Sequence, residues 1–260
     1  DGARYLQQYG IDAINVTDGA RARLRMSSMA ISFLIQQQVG IEAMMHLTAR
    51  DRNLIGLQAE LLGAHAMGMR NVLCVTGDPA SIGDYPHATS VFDIDSIGLI
   101  RAVKSMNEGR DLMGNTIEQR TSFLIACAAN PCADDMGREV GRLGKKIEAG
   151  AQIVFTQPIY EMHTLEQFVQ RVERLPVPIM VGILPLRSYK HAEFLHNEIP
   201  GMVIPESVRE QLRTAGDKAS VEGVRLAKEF LAEAKALVSG AYLMPPFKKY
   251  ELIPEILEVL

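Results

Sequence analysis

Segments of strand length alternate with segments of helical spacing along almost the whole chain. The strand-like segments are centred near residues 14, 44, 73, 125, 154, 181 and 242. This alternation predicts βα units around a parallel sheet, which can close as a barrel or lie open and doubly wound. No Gly-x-Gly-x-x-Gly follows the early strands, which disfavours a dinucleotide-binding Rossmann domain. We therefore expect an α/β fold of the (β/α)8 TIM barrel type.

The predicted barrel is one strand short. A closed barrel of this type has eight strands, whereas the chain shows seven and starts with a helical stretch over residues 1–9. The simplest interpretation is that the first strand is missing from this chain. The alternative is an open barrel with an unpaired edge. Since a barrel domain has roughly 250 residues, we assign residues 1–260 to a single domain.

The composition argues against several classes of function. Hydrophobic residues make up 47% of the chain and charged residues 22%, which suits a large core and argues against disorder. The net charge of −4 gives no general attraction to nucleic acid or to an anionic membrane. No apolar run is long enough to span a bilayer, and no signal peptide opens the chain. The three cysteines lack metal-ligand spacing and indicate reduced thiols in a cytoplasmic protein.

One apolar strand ends abruptly at a glycine followed by a carboxylate, in residues 71–78 (Asn-Val-Leu-Cys-Val-Thr-Gly-Asp). Gly77 lets the main chain approach a ligand closely because it has no Cβ. Asp78 lies at the carboxyl end of the strand, where parallel α/β folds bind ligands. Its structural alternative is to cap the next helix. Asp51 and Asp93 are predicted caps of the helices that follow them.

Polar residues follow the other predicted strands as well, and barrels draw their active sites from these ends. The groups include Thr17-Asp18-Gly19-Ala20, His46, Asn130 and Gln157-Pro158-Ile159-Tyr160. None forms a metal cage or a nucleophile–base pair by spacing, a profile that suits a bound organic cofactor. The structural alternatives are a core histidine for His46, a solvated helix face for Lys146 and a surface ion-pair cluster for Arg50, Asp51 and Arg52.

Four longer motifs resemble the methylenetetrahydrofolate reductase family. They are His-Leu-Thr-Ala-Arg-Asp-Arg-Asn (46–53), Val-Thr-Gly-Asp-Pro (75–79), Phe-Thr-Gln-Pro-Ile-Tyr-Glu (155–161) and Gly-Ile-Leu-Pro-Leu (182–186). The resemblance covers nearly the whole chain, in order. Residues 83–93 and 193–201 resemble in particular the reductase half of bifunctional bacterial proteins that carry a homocysteine S-methyltransferase domain upstream.

The resemblance implies a flavoenzyme. Family members hold FAD at the C-terminal mouth of the barrel, reduce it with NADH or NADPH, and pass hydride to 5,10-methylenetetrahydrofolate to give 5-methyltetrahydrofolate. Matched by motif, the residues implied to contact the flavin are Thr17, Asp18, Ala20, His46, Thr76, Gly77, Asp78, Phe92, Asp93, Asn130, Arg142 and Lys146. Those implied to contact folate or nicotinamide are Asp78, Gln157, His191, Leu195 and Lys248. Asp78 is the implied catalytic residue, since a fixed carboxylate stabilises the cationic iminium form of the folate.

Two departures from the family pattern bear on function. Thr76 stands where many members have arginine, so one cationic contact to the flavin is lost. The family's acidic residue that protonates the folate lies on the first strand, which is not found in this chain. General acid catalysis contributes about 10²–10⁴-fold, so we expect this chain to bind its ligands yet turn over folate poorly.

Several alternatives stay open from the sequence. A non-catalytic barrel module and a pterin-dependent methyltransferase are the other candidate functions, and the colour of a bound flavin would separate both from a reductase. NADH and NADPH are equally compatible with the motifs. A homo-oligomer, formed through an apolar surface helix, and a covalently linked methyltransferase domain are the partners that remain to be tested.

Overall fold

The computed structural model describes residues 1–260 and contains seven strands in one sheet, ordered as they occur in the chain. The strands are β1 (Ala13–Val16), β2 (Glu42–Thr48), β3 (Asn71–Val75), β4 (Leu124–Ala129), β5 (Ile153–Pro158), β6 (Ile179–Ile183) and β7 (Gly240–Leu243). Parallel pairing joins β1 to β2, β2 to β3, β3 to β4, β5 to β6 and β6 to β7. All seven predicted strands are confirmed, and so is the fold class: an α/β fold whose parallel sheet is consistent with a (β/α)8 barrel lacking one strand.

Ten helices connect or flank these strands. They are α1 (Gly2–Gln7), α2 (Ser28–Val39), α3 (Leu54–Ala66), α4 (Ser96–Asn107), α5 (Met136–Ala149), α6 (Met162–Val172), α7 (Tyr189–Glu198), α8 (Glu206–Ala215), α9 (Ala219–Ala234) and α10 (Ile253–Leu257). None combines the length and the apolar character needed to cross a bilayer.

Two predicted helix caps are wrong. The residue before α3 is Asn53, whose side chain accepts the main-chain N–H of Gly56, because the Asp51 carboxylate is bound by Arg50 instead. The residue before α4 is Asp95, which accepts two main-chain N–H groups of the first turn. Asp93 accepts the N–H of Leu54 and so serves α3 from a distant loop.

The chain divides into two compact units. The first, here called the Asp78 unit, comprises Gly10–Ala128 and Lys145–Ile153. The second, the Gln157 unit, comprises Asp1–Tyr9, Ala129–Gly144 and Val154–Leu260. The prediction of a single domain over residues 1–260 remains a prediction.

In the Asp78 unit, the two faces of the sheet have different characters. Ala43, Met45 and Leu47 alternate along β2 and are completely buried. Side chains alternate between faces along a strand, so His46 belongs to the opposite face. Because His46 pairs in register with Leu73, the polar side chain belongs to a face that β3 shares.

In the Gln157 unit, two apolar clusters form the core. One packs β6 against α9 through Val181, Ile183 and Leu231. The other joins α7 and α8 and contains Leu195. The side chain of Leu195 is thus largely committed to packing, although the resemblance places it on the folate side.

Candidate functional site

A buried carboxylate organises the carboxyl ends of β1 and β2. Oδ2 of Asp18 accepts the main-chain N–H and the hydroxyl of Thr48, both at 3.0 Å. It also receives Nη1 of Arg52 at 3.0 Å. Three donors, one of them charged, satisfy this oxygen and tie the two strand ends together. Asp18 therefore has a structural role that is sufficient to explain its burial.

A second buried ion, Arg50, joins the ends of β1, β2 and β3. Its Nε and Nη2 atoms donate to the two carboxylate oxygens of Asp51, each at 2.7 Å. Its Nη1 atom donates to the carbonyl of Gly19 at 3.1 Å and to that of Asp78 at 3.3 Å. Arg50 is 4% exposed, so the alternative of a surface ion-pair cluster is wrong for this residue.

Gly77 packs against protein rather than against open space. Its φ is +91°, and a Cβ there would lie 3.0 Å from Cβ of Thr48 and 3.3 Å from Cβ of Arg50. Gly19 shows the same relation, since at φ +56° a Cβ would lie 2.6 Å from Nη2 of Arg50. Both positions need glycine for the conformation and for the space. The close approach made by Gly77 in this structure is to β2.

Asp78 is an exposed carboxylate, like Asp51, but it is not paired with Arg50 through its side chain. Its Oδ2 accepts the main-chain N–H of Arg21 at 2.8 Å. It does not cap the following helix, which begins at Ser96 with Asp95 before it. Thr76, two residues earlier, accepts the N–H of Ser96 through its hydroxyl at 3.0 Å. Asp78 is therefore held by a loop near the end of β1, while Thr76 holds the start of α4.

Strained main chain gathers around the same strand ends. Arg21, Ala22 and Phe92 have φ values of 58°, 51° and 47°, in the left-handed region that non-glycine residues rarely occupy. Phe92 is kept there by its N–H, which donates to the carbonyl of Ala49 at 3.3 Å. Such strain costs about 1–3 kcal/mol per residue and concentrates at functional sites. Thr17 and Ala20 lie exposed in the same region.

His46 carries an unsatisfied polar atom. Its Nε2 is buried and has no hydrogen-bond partner. Burial lowers the pKa of His46 to about 4, and the nearby Asp18 opposes this only in part. The imidazole is thus neutral at pH 7, and Nε2 is a buried group that a ligand could satisfy. The alternative of a satisfied core histidine is wrong.

Three further predicted flavin contacts follow β4 in the chain: Lys146 belongs to the Asp78 unit, and Asn130 and Arg142 belong to the Gln157 unit. Lys146 is buried and donates its ammonium to the carbonyl of Ala128 at 2.6 Å, so the alternative of a solvated helix face is wrong. Asn130 is engaged locally, because its Oδ1 accepts the N–H of Cys132 and its own N–H donates to Glu139. Arg142, one turn before Lys146 on α5, is partly buried.

In the Gln157 unit, the end of β5 presents one exposed amide side chain. Gln157 is exposed, whereas its neighbours Thr156 and Pro158 are buried. The Thr156 hydroxyl accepts the N–H of Gly182 at 2.8 Å and donates to the carbonyl of Gln157 at 2.8 Å. These bonds fix the main chain beneath Gln157 and leave its amide available to a ligand.

A cationic and aromatic cluster is formed by the segments that follow β6 and β7, including the first turn of α7. The rings of His191 and Phe247 have centroids 5.2 Å apart, and the Arg187 guanidinium lies 5.3 Å from the Phe247 ring centre. Phe247 is 70% exposed and, like Lys248, has a left-handed φ. Burial and Arg187 lower the pKa of His191. Sequence reasoning gave no role to Arg187 or to Phe247, although Phe247 follows the last strand, in a loop of the kind that concentrates functional residues.

The structure thus brings most predicted flavin contacts together within the Asp78 unit. Asp18 is bonded to Thr48 and Asp78 to Arg50, and Thr17, Thr76 and Gly77 lie next to them in the chain. Arg50 was read from sequence as an ion-pair residue, and nothing in its local pattern shows that two glycines pack against it. No group of three or more His, Cys, Asp or Glu side chains is arranged to hold a metal ion.

Comparisons with known proteins match this chain to one protein family. A family model described as "Methylenetetrahydrofolate reductase" matches residues 2–260. Methylenetetrahydrofolate reductase 1 of Schizosaccharomyces pombe is 26% identical, covering 82% of this chain and 34% of the relative. Methylenetetrahydrofolate reductase (NADH) 1 of Arabidopsis thaliana is 25% identical, covering 86% and 39%. A probable methylenetetrahydrofolate reductase (NADPH) of Caenorhabditis elegans is 28% identical, covering 73% and 28%. The chain spans about a third of the length of these curated relatives.

Solved structures share the fold at low sequence identity. A trigonal crystal form of 2,3-dimethylmalate lyase, a PEP mutase/isocitrate lyase superfamily member, has a TM-score of 0.51 at 14% identity, covering 91% of this chain and 77% of that one. Oxaloacetate acetylhydrolase in complex with 3,3-difluorooxalacetate has a TM-score of 0.51 at 11% identity, covering 98% and 85%. At such identity the likeness concerns the fold alone.

Proposed function

Because this chain belongs to the methylenetetrahydrofolate reductase family, we propose that it reduces 5,10-methylenetetrahydrofolate to 5-methyltetrahydrofolate with NAD(P)H and bound FAD. The observation that carries the proposal is the different bonding of two carboxylates, Asp18 after β1 and Asp78 after β3, the strands on either side of β2. Asp18 is buried under three donors, whereas Asp78 is exposed and accepts one main-chain N–H. Asp78 is thus the carboxylate with acceptor capacity left for a ligand.

The residues of the Asp78 unit fit a flavin. Nε2 of His46 is a buried atom without a partner, and it would be satisfied by a polar edge of the ring system. Lys146 supplies a buried ammonium at the end of β4, suited to the phosphate part of the cofactor. When bound, FAD supplies the hydride-carrying chemistry between nicotinamide and folate, which no side chain can supply.

Asp78 would act on the folate by electrostatics. The reactive folate is a cationic iminium, and a preorganised carboxylate stabilises positive charge where water is partly excluded. The main-chain N–H of Arg21 holds Oδ2 of Asp78 at 2.8 Å, so the carboxylate is oriented before substrate arrives. It could also accept a hydrogen bond from the pterin and align it for hydride transfer.

In the Gln157 unit, Gln157, His191 and Lys248 are proposed to contact folate or nicotinamide. Gln157 offers an exposed amide that can both donate and accept. His191 packs against Phe247, and Lys248 follows Phe247 in the chain. A cation and an aromatic ring at this place suit a substrate with an aryl group and carboxylates. Leu195, on α7, lies in the core of this unit and would act there by holding α7 in place.

Colour is the first test of this function. Purified protein should show a flavin spectrum, or acquire one when FAD is added, and NADH or NADPH should bleach it under anaerobic conditions. Protein that stays colourless after reconstitution with FAD would contradict the proposal and favour a non-catalytic module or a pterin-dependent methyltransferase. Running both nicotinamides in parallel also decides between NADH and NADPH.

Asp78→Asn then tests the assigned role. We expect flavin binding to persist and the folate half-reaction to slow about 10²-fold or more, as when a preorganised charge-stabilising group is removed, while reduction by NAD(P)H changes little. The measurement is stopped-flow absorbance of each half-reaction. Asp217→Asn, an exposed carboxylate in the turn Gly216–Lys218, is the matched control. Equal slowing of both half-reactions in Asp78→Asn would count against the role.

A further inference from the structure

Arg50 lies where the loops after β1, β2 and β3 meet, and it fills space that two glycines leave free. We infer that Arg50 is a positioning residue for Asp78: its guanidinium, locked by Asp51, joins the carbonyls of Gly19 and Asp78 and so fixes the loop that presents the carboxylate. We call Arg50, Asp51, Gly19 and Asp78 the Arg50 clamp. The inference rests on the function proposed above, because it concerns the orientation of Asp78.

Each side of the guanidinium has a separate task. The edge formed by Nε and Nη2 is neutralised by the two oxygens of Asp51, each at 2.7 Å. The remaining atom, Nη1, donates to Gly19 at 3.1 Å and to Asp78 at 3.3 Å. Because Asp51 balances the charge, the clamp orders the main chain without adding an unpaired cation beside the Asp78 carboxylate.

The glycines on either side explain why the guanidinium can lie there. A Cβ on Gly19 would come within 2.6 Å of Nη2 of Arg50, and one on Gly77 within 3.3 Å of Cβ of Arg50. Both glycines have positive φ, so the loops curve around the arginine. This packing gives Gly19 and Gly77 a function that needs no ligand, and it makes Arg50 the feature around which the loops are built.

The clamp also determines where the Asp78 side chain points. Gly19 is two residues before Arg21, whose N–H donates to Oδ2 of Asp78 at 2.8 Å. Arg50 joins the carbonyls of Gly19 and Asp78, and the Arg21 N–H joins the same two loops through the carboxylate. If the Arg50 bonds to the two carbonyls are removed, the Arg21 N–H and the Asp78 carboxylate lose their alignment. The amide of Arg21 is therefore a reporter of the Asp78 orientation.

Lysine cannot replace Arg50 in this role. An ammonium is a point charge with three donors, whereas the planar guanidinium matches a carboxylate with one edge and presents further N–H groups in fixed directions. Arg50→Lys keeps the charge and most of the volume, but it cannot keep both oxygens of Asp51 and both carbonyls. Arg213→Lys is the matched control, since Arg213 makes the same two-atom contact to Glu210 at 2.7 Å on the exposed face of α8.

Amide hydrogen exchange on the protein without ligands tests the geometry directly. In Arg50→Lys we expect exchange of the Arg21 amide to rise about tenfold, as on loss of about 1.4 kcal/mol of local protection. Exchange in β3 should remain unchanged, and Arg213→Lys should leave Arg21 unaffected. Unchanged exchange at Arg21 in Arg50→Lys, or an equal rise throughout the Asp78 unit, would overturn the inference. If Arg50→Lys does not fold, Asp51→Asn is measured in the same way.

Half-reaction kinetics test whether the clamp acts through Asp78. Arg50→Lys should slow the folate half-reaction about tenfold while reduction by NAD(P)H stays within about twofold. In the Asp78→Asn background the same substitution should add less than about twofold, because coupled residues are not additive. Full additivity would overturn the positioning role. A colourless, inactive protein whose Arg21 amide still responds to Arg50→Lys would instead contradict the proposed function and leave the geometry of the clamp in place.

Discussion

Gly77→Ala gives a direct measure of how tightly the end of β3 packs on β2. The alanine would take a φ of +91° and place its Cβ 3.0 Å from Cβ and 3.2 Å from Cγ2 of Thr48. Thr48 cannot easily move, because its N–H and its hydroxyl both donate to Asp18. The conformation costs about 1–2 kcal/mol, and forced overlap in a packed region costs about 1–3 kcal/mol. We expect a total loss of about 3 kcal/mol.

Gly68→Ala separates the two contributions. Gly68 has a φ of +88°, but a Cβ there would meet nothing within 4 Å, so only the conformational cost applies. At about 3 °C per kcal/mol for a chain near this size, Gly77→Ala should lower Tm by about 9 °C and Gly68→Ala by about 4 °C. Calorimetry with urea titrations at pH 7 measures both. Equal losses in the two variants would show that Gly77 is not packed against Thr48, and they would remove the main support for the arrangement of loops described above.

Three further predictions concern single side chains. Because burial lowers the pKa of His46 to about 4 from 6.5, the unfolded chain binds a proton in this window that the folded chain does not. This difference should lower the free energy of unfolding by about 3 kcal/mol between pH 7 and pH 4. In His46→Gln, urea titrations at a series of pH values should show a free energy of unfolding that lacks this part of the pH dependence. Asp95→Ala leaves the N–H groups of Ile97 and Gly98 without their acceptor and should cost about 1 kcal/mol in urea unfolding; no loss would argue against the cap. Lys146→Met should weaken FAD binding about tenfold in fluorescence titrations, whereas Lys145→Met, on the exposed side of α5, should not, and equal affinities would exclude Lys146 from the cofactor site.

The strands could be predicted from sequence because apolar runs of four to seven residues are local signals. The helix caps could not. Asp93 and Asp95 lie two residues apart and have the same chemistry, yet Asp95 caps α4 and Asp93 accepts an N–H from α3. The choice depends on where the loop after β3 passes, and that is a property of the folded chain.

The sequence predicts which residues belong to the candidate site, and this stays a prediction; it does not predict their bonding. The motifs predict Gly77 and Asp78 to be neighbours of a ligand, because loops at strand ends concentrate functional residues. The pattern could not show that Gly77 makes room for Arg50 and Thr48. Likewise the sequence does not distinguish Lys145 from Lys146 as the buried residue. The orientation of α5 in the folded chain buries the Lys146 ammonium against the carbonyl of Ala128.

The bonding pattern explains how one unit can carry two acidic groups with separate tasks. Asp18 is paired with Arg52 and accepts two hydrogen bonds from Thr48. Its carboxylate therefore joins the end of β1 to the end of β2. Asp51 plays the same part for Arg50. With both arginines paired to other carboxylates, Asp78 is left oriented by main-chain contacts, through Arg21 and through its own carbonyl on Arg50. The carboxylate itself accepts a neutral main-chain N–H, which orients it without neutralising it, and that is the property needed to stabilise a cation on a bound substrate.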